Sequence, residues 1–133
     1  MKNEYQKLKN DYINYVLFFK SGNFYVSFFK DAEVLKKLFD YKIINDRVGF
    51  PLSSLNKVLN KLDNEKINYI FIEGQEIANK KEFKANRYQE LLRKIDKENY
   101  HNLLNKTLLD RIEYLINYDN SNYDKIRKFI DEL

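Results

Sequence analysis

The residues with the clearest capacity for chemistry cluster around one short polar break. Lys20, Asn23, Phe24 and Tyr25 bracket Ser21-Gly22-Asn23, which separates two apolar-aromatic runs, Val16 to Phe19 and Phe24 to Phe28. Two such runs with a glycine-containing break between them read as strands joined by a tight turn. Gly22 is the residue expected to take positive φ there, because a side chain would clash with the backbone. A cation, an amide and two rings at one tip offer charge for phosphate and aromatic faces for stacking against bases. Lys42 and Arg47 flank a second expected turn at Asn45-Asp46 and add phosphate contacts if their loop lies on the same side. The competing reading, which composition alone favours, is that both rings belong to the core.

No other constellation supports catalysis or metal binding. His101 is the only histidine, and neither a partner nucleophile nor further ligands accompany it, so it reads as a solvated surface residue. The acidic residues are scattered rather than gathered into a nuclease-type cluster. Cysteine is absent, which excludes disulfides and thiolate metal sites. With three glycines there is no Gly-rich loop followed by Lys and Ser/Thr, and hence no phosphate cradle of the motor type. The expectation is a protein that is not an enzyme and needs no cofactor.

The elements that must position the tip follow from hydrophobic periodicity. A helix is expected over residues 4–14 and strands over 15–20 and 23–29, the first apolar on both faces and therefore central. Asp31 opens the next helix, with negative charge in its first turn and Val34, Leu35, Leu38 and Phe39 as its buried stripe, ending near Asp40. Tyr41 to Ile44 and Val48 to Phe50 read as short strands. Pro51 stops the second of these, and Ser53 or Ser54 caps a helix whose stripe is Leu55, Val58, Leu59 and Leu62. Ile67 to Ile72 is a buried strand. Strands alternating with helices imply an α/β (α+β) fold, a mixed β-sheet flanked by helices.

After Gly74 the texture changes. Residues 80–96 are polar with a thin stripe of Phe83, Tyr88, Leu91, Leu92 and Ile95. A longer helix is expected from Tyr100 to Tyr118, then a turn at Asp119 to Asn122, then a final helix lined by Tyr123, Ile126, Phe129, Ile130 and Leu133. The expected division is an α/β core over 1–74 and an α-helical C-terminal extension over 75–133. That extension either folds back on the core or offers its stripe to a protein partner or a second copy. A chain of 133 residues has the length of one domain with an appendage.

A net charge of +4 permits polyanion binding without demanding it. The first residues lack the apolar core of a signal peptide, and no apolar run is long enough to cross a bilayer. The expectation is a cytoplasmic protein of bacterial or phage type with no membrane partner, its many Lys and Asn residues matching an AT-rich genome.

Taken in order, the motifs resemble the N-terminal mismatch-recognition domain (domain I) of the MutS family of DNA mismatch repair proteins. That domain opens with Tyr-x-x-Leu-Lys, here Tyr5-Gln6-Lys7-Leu8-Lys9. A hydrophobic strand, Gly-Asp-Phe-Tyr-Glu-x-Phe and Asp-Ala follow, matched by Val16 to Phe19, Gly22 to Phe28 and Asp31-Ala32. A second block, Gly-Ile-Pro with a helix and an apolar strand, is matched by Gly49-Phe50-Pro51, Leu55 to Leu62 and Ile67 to Glu73. The resemblance covers residues 1–74. It implies that Phe24 stands at the position of a Phe that wedges into the duplex beside a mispair. The Glu two residues on, which hydrogen-bonds the displaced base in that family, is Val26 here, and valine makes no such bond.

The expected function is non-catalytic nucleic-acid binding through Lys20, Asn23, Phe24, Tyr25, Lys42 and Arg47, to duplex DNA, a hybrid or a distorted duplex. The protein would act as an accessory to a DNA-processing enzyme such as a polymerase, reverse transcriptase or recombinase. The alternative is a protein-interaction or inhibitor module that reuses the fold without binding DNA.

Overall fold

β1 (Val16–Ser21) runs through the middle of the sheet because its residues are apolar on both faces: Val16, Leu17, Phe18 and Phe19 are all buried. It pairs antiparallel with β2 (Phe24–Phe28) across a turn in which Gly22 takes φ +59°. β2 pairs antiparallel with β3 (Arg47–Pro51). On the other side β1 lies parallel to β4 (Tyr69–Glu73), which turns back at Gly74 into antiparallel β5 (Glu76–Lys81). The result is a mixed five-stranded sheet in the order β3-β2-β1-β4-β5. The computed structural model describes residues 1–118 and 121–132; the side chains of 107, 114–118 and 121–123 lie outside that description.

Strand alternation sorts the side chains onto two faces. One face, including Val16, Phe18, Tyr25, Phe50, Tyr69 and Phe71, packs under α2 (Phe29–Phe39), α3 (Leu55–Glu65) and the start of α4 (Tyr88–Tyr118). The rings of Phe18 and Phe71 stack there at 4.4 Å. Tyr88, Leu92 and Ile95, read from the sequence as part of a thin stripe, are buried in this layer. The other face carries Leu17, Phe19, Val26, Phe28, Ile70 and Ile72, and α1 (Lys2–Asp11) covers it with Tyr5 and Leu8.

Asp31 has a role that its place in the first turn of α2 did not reveal. Its side chain is fully buried. One carboxylate oxygen accepts from the Tyr5 hydroxyl at 2.8 Å and the Leu17 backbone N–H at 3.1 Å, and the other from the Tyr88 hydroxyl at 2.6 Å. Lys9 Nζ lies 3.0 Å from both oxygens, donates to the Tyr15 carbonyl and the Tyr88 hydroxyl, and sits 4.5 Å from the centre of the Tyr88 ring. Burial lowers the Lys9 ammonium pKa, and the Asp31 charge opposes that shift. Burial, then the Asp31 charge, pushes the hydroxyls of Tyr5 and Tyr88 far above the usual phenol range.

Several expectations are corrected. Residues 76–81 form a strand, so the segment after Gly74 does not begin as a helical extension. Every β5 residue is exposed, which is why no buried alternation marked it. The segment 41–43 is not a strand; Ile44 makes a single bridge to Arg47, while Tyr41 stacks on Phe39 at 5.2 Å. Ser54 holds the N-cap position of α3 after a 3-10 turn (Leu52–Ser54), without a side-chain capping bond. α4 is one helix of 31 residues that begins at Tyr88 rather than at the expected Tyr100, and no Gly or Pro interrupts it. The chain separates into one unit over Met1–Ile95 and another over Asp96–Leu133, the second holding the rest of α4 and α5 (Ser121–Asp131). Residues 119, 120 and 133, named above in the expected last turn and stripe, lie outside the described residues, as does the side chain of Tyr123.

Replacing Asp31 with Ala strands a largely buried ammonium and leaves two buried hydroxyls and one backbone N–H without their acceptor. Urea unfolding should show a loss of about 3–5 kcal/mol. Adding Lys9→Met should restore part of that loss, because the stranded charge disappears with it.

Candidate nucleic-acid interface

The β1–β2 turn is closed by the pair Ser21 and Phe24, and the Asn23 carbonyl accepts the Leu52 N–H at 3.0 Å, tying the tip to the end of β3. Phe24 alternates with Val26 and Phe28 and therefore stands on the α1 side of the sheet. Phe28 is covered there, but Phe24 remains 50% exposed.

A second tight turn completes the surroundings. The Ile44 N–H donates to the Arg47 carbonyl at 2.9 Å and the Arg47 N–H to the Ile44 carbonyl at 3.2 Å. The two residues between them, Asn45 and Asp46, take φ of 53° and 61°. Positive φ at both central residues is the geometry for which Asn and Asp are suited. Lys42, Ile44 and Arg47 are thereby gathered with Ser21, Phe24, Val26 and Gly49 around a cleft of about 400 Å³. None of the lining residues is acidic.

The floor of the cleft comes from strand register. Val26 and Gly49 are cross-strand partners on β2 and β3, and Gly49 contributes no side chain. A Cβ added there would lie 3.7 Å from the Tyr25 carbonyl oxygen and 3.8 Å from Val26 Cγ2, ordinary contact distances. The backbone thus leaves room for a side chain at Gly49, and its absence keeps the cleft open.

Tyr25 and Lys20 stand elsewhere. The tip was expected to carry two exposed rings, but Tyr25 is only 5% exposed, its ring 4.9 Å from that of Phe71 and its hydroxyl donating to Glu73 at 2.8 Å. Lys20 is the register partner of Tyr25 and shares its face, with Nζ 3.9 Å from Glu73. A pleat of period two places neighbours in sequence on opposite faces, so Phe24 and Tyr25 cannot serve one surface. Of the residues singled out from the sequence, the structure brings Phe24, Lys42 and Arg47 together, leaves Asn23 exposed at the adjoining turn, and sends Lys20 and Tyr25 to the other side of the sheet. Sequence reasoning missed Ser21, Ile44 and Gly49. A glycine inside a strand is the one signal that could have pointed to the opening.

The arrangement can stack an aromatic ring and offer hydrogen-bond donors to phosphate oxygens. His101 is exposed beside the Tyr100 ring. Among the described residues no group of three His, Asp or Glu side chains could hold a metal ion, and no helix is long and apolar enough to cross a membrane.

Comparison with known proteins now decides the family: residues 1–102 match MutS domain I. The chain belongs to the MutS domain I family. The match reaches past residue 74, where the resemblance read from motifs ended, and takes in all five strands of the sheet and the start of α4. Two relatives are the DNA mismatch repair proteins MutS of Pseudothermotoga lettingae and of Petrotoga mobilis. Each is 35% identical over 66 residues, which are 47% of this chain and 8% of the relative. The shared stretch thus spans less than a tenth of those proteins.

The Tyr25 hydroxyl gives a pH signature. Burial, then its bond to Glu73 and the charge of that carboxylate, push it up to about 12 from an ordinary value of 10.0. A phenol with a raised folded-state pKa stabilises fully below pH 10.0, and that contribution is lost as pH rises through about 12. Denaturant midpoints measured across this window should therefore fall less steeply for Tyr25→Phe than for the parent protein.

Proposed function

We propose that this chain is a non-catalytic nucleic-acid-binding protein that engages distorted duplex DNA through the Phe24 cleft, as an accessory to a DNA-processing enzyme. The observation that carries this reading is a half-exposed ring standing beside two cations, Lys42 and Arg47, in a cleft without acidic lining. Arg and Lys position a protein on the phosphate backbone, and an apolar wedge gains most where the stack is already cheap to open. The mismatch-repair names of the two relatives agree with this chemistry. Val26 in the cleft floor offers no hydrogen bond to a base edge, so the reading is of binding to distorted DNA rather than of repair itself.

A second reading, a protein-interaction module, is favoured by one feature of the unit from Asp96 onward. Tyr100, Leu104, Leu108 and Leu109 on α4, and Phe129 and Ile130 on α5, are large apolar side chains exposed by 43–66%.

Fluorescence anisotropy against matched duplex, mismatched duplex, single-stranded DNA and an RNA–DNA hybrid, at two salt concentrations, separates the two. Base–aromatic stacking contributes about 1–3 kcal/mol. Phe24→Ala should accordingly weaken binding to distorted duplexes about tenfold or more, with a smaller effect on matched duplex. Arg47→Ala and Lys42→Ala should weaken all duplexes alike, each reducing the salt slope by about 1, whereas Lys20→Ala should leave the slope near its parent value. Absence of binding to every substrate at tens of micromolar would leave the interaction module as the reading.

A further inference from the structure

We propose that the groove between α2 and α3 binds an acidic peptide segment in extended form, with carboxylates along one edge and apolar side chains along the other. Both helices cover the sheet face opposite the one that carries Phe24, so this surface rests on no part of the nucleic-acid reading. An accessory to an enzyme needs a protein contact, and the groove offers one.

The first ground is charge. The groove has a volume of about 800 Å³ and runs between the last turn of α2 and the outer ridge of α3. Lys37, Lys57 and Lys61 line it against a single carboxylate, Asp40. Among the described residues Lys57 makes no ion pair. Its ammonium stands 5.9 Å from the ring centre of Phe39 and 5.7 Å from that of Tyr41. Those two rings stack at 5.2 Å, and they hold the cation without neutralising it. Lys61 lies 3.5 Å from Glu65 on the surface, a pairing that contributes little and is readily exchanged.

The second ground is the kind of polar group present. Asp40, Asn60 and Asn64 can all accept hydrogen bonds. A phosphodiester backbone has no N–H to give them, and it would set its own charge beside Asp40. A peptide main chain brings an N–H and a carbonyl at almost every residue, and the two asparagine amides can bond to both.

The third ground is spacing. Lys57 and Lys61 stand four residues apart on α3, as do Asn60 and Asn64, so each pair is separated by about 6 Å along the helix. Alternate residues of an extended chain repeat at about 6.6–6.8 Å and point to the same side. Two carboxylates at alternate positions therefore meet the two lysines. The residues between them point to the other wall, where Leu38 and Phe39 offer apolar contact.

The test uses the full chain and fluorescence anisotropy of short labelled peptides. The probe carries Asp-Phe-Asp-Leu-Asp at the centre of a Gly-Ser frame. An isomer carries the same residues as Asp-Asp-Asp-Phe-Leu, with the same charge but no alternation. A short thymidine strand serves as a phosphodiester competitor. The alternating peptide should bind about tenfold more tightly than its isomer, and its affinity should fall as salt rises. Lys57→Gln with Lys61→Gln should weaken it about tenfold or more, whereas Lys57→Arg with Lys61→Arg should keep most of the affinity. A melting curve reports whether each variant is folded. Arg47→Ala, in the Phe24 cleft, should leave peptide binding unchanged.

Absence of binding to the alternating peptide at about 1 mM would overturn the proposal. So would binding untouched by the paired glutamine substitutions, and equal affinity for the isomer would overturn the extended register. A thymidine strand that displaces the peptide at equal concentration, and is itself weakened by those substitutions, would make the occupant nucleic acid and overturn the peptide. Peptide and duplex titrations are read separately, so failure of duplex binding with peptide binding intact would strike the Phe24 reading and uphold this one.

Discussion

One carboxylate closes a gap that the sheet itself leaves open. β1 and β2 pair over Ser21 and Phe24, Lys20 and Tyr25, and Phe19 and Val26, and their ladder ends there. Beyond it the Leu17 peptide, whose flanking residues Val16 and Phe18 pair with β4, is served by side chains. The Ser27 hydroxyl donates to its carbonyl and Asp31 accepts its N–H. An unpaired peptide in a buried central strand would cost as much as a lost hydrogen bond, so some polar group had to be brought inside. Asp31 brings a charge with it, and Lys9 and the hydroxyls of Tyr5 and Tyr88 are the answer to that charge. Because those partners sit on α1 and α4, satisfying one strand also fixes the helices on both faces of the sheet.

That arrangement gives the two faces different characters. Three helices cover one face, and α1 alone covers the other, anchored by Tyr5 and Lys9 to the same carboxylate. Phe19, Val26 and Phe28 are buried in the layer under α1, and Phe24 is not. The open end of the thinly covered face is therefore where a ring can stay exposed, and both sharp turns bring their residues to that end. The candidate site is a consequence of where the cover stops rather than of any special strain at the tip itself.

The legible parts of the sequence were those with local causes. The central strand showed as an apolar run, the first turn as Gly22, the second as Asn45-Asp46, and α3 as Leu55, Val58, Leu59 and Leu62 at helical spacing. What escaped depends on distant partners or on the absence of a signal. The contacts of Asp31 lie 14 to 57 residues away in sequence, and nothing at Asp31-Ala32 distinguishes a buried carboxylate from a solvated one in a first helical turn. β5 has no apolar face to announce it; its Glu76, Lys80 and Lys81 instead suit an exposed edge that must not pair with another chain. The site was half legible for the same reason. Residue types gave the right chemistry, but which of Phe24 and Tyr25 faces solvent depends on pleat phase. That phase is set by register with β1 and β3.

The split between those two rings, Phe24 exposed and Tyr25 buried, sets the shape of the site. Tyr25 is the ring the core holds, between Phe50 and Phe71 with its hydroxyl on Glu73, so its position fixes the phase of β2. With that phase fixed, Phe24 and Val26 must face the α1 side, and Gly49 and Arg47 must stand beside them, because β3 is locked to β2 in register. A change at Tyr25 would act on the cleft only through the backbone, whereas a change at Gly49 or Val26 alters its floor directly. The core thus sets where the cleft lies, and the residues facing it set what it admits. Substitution of a floor residue, such as the valine at Val26, can retune the site without touching the packing that holds it in place.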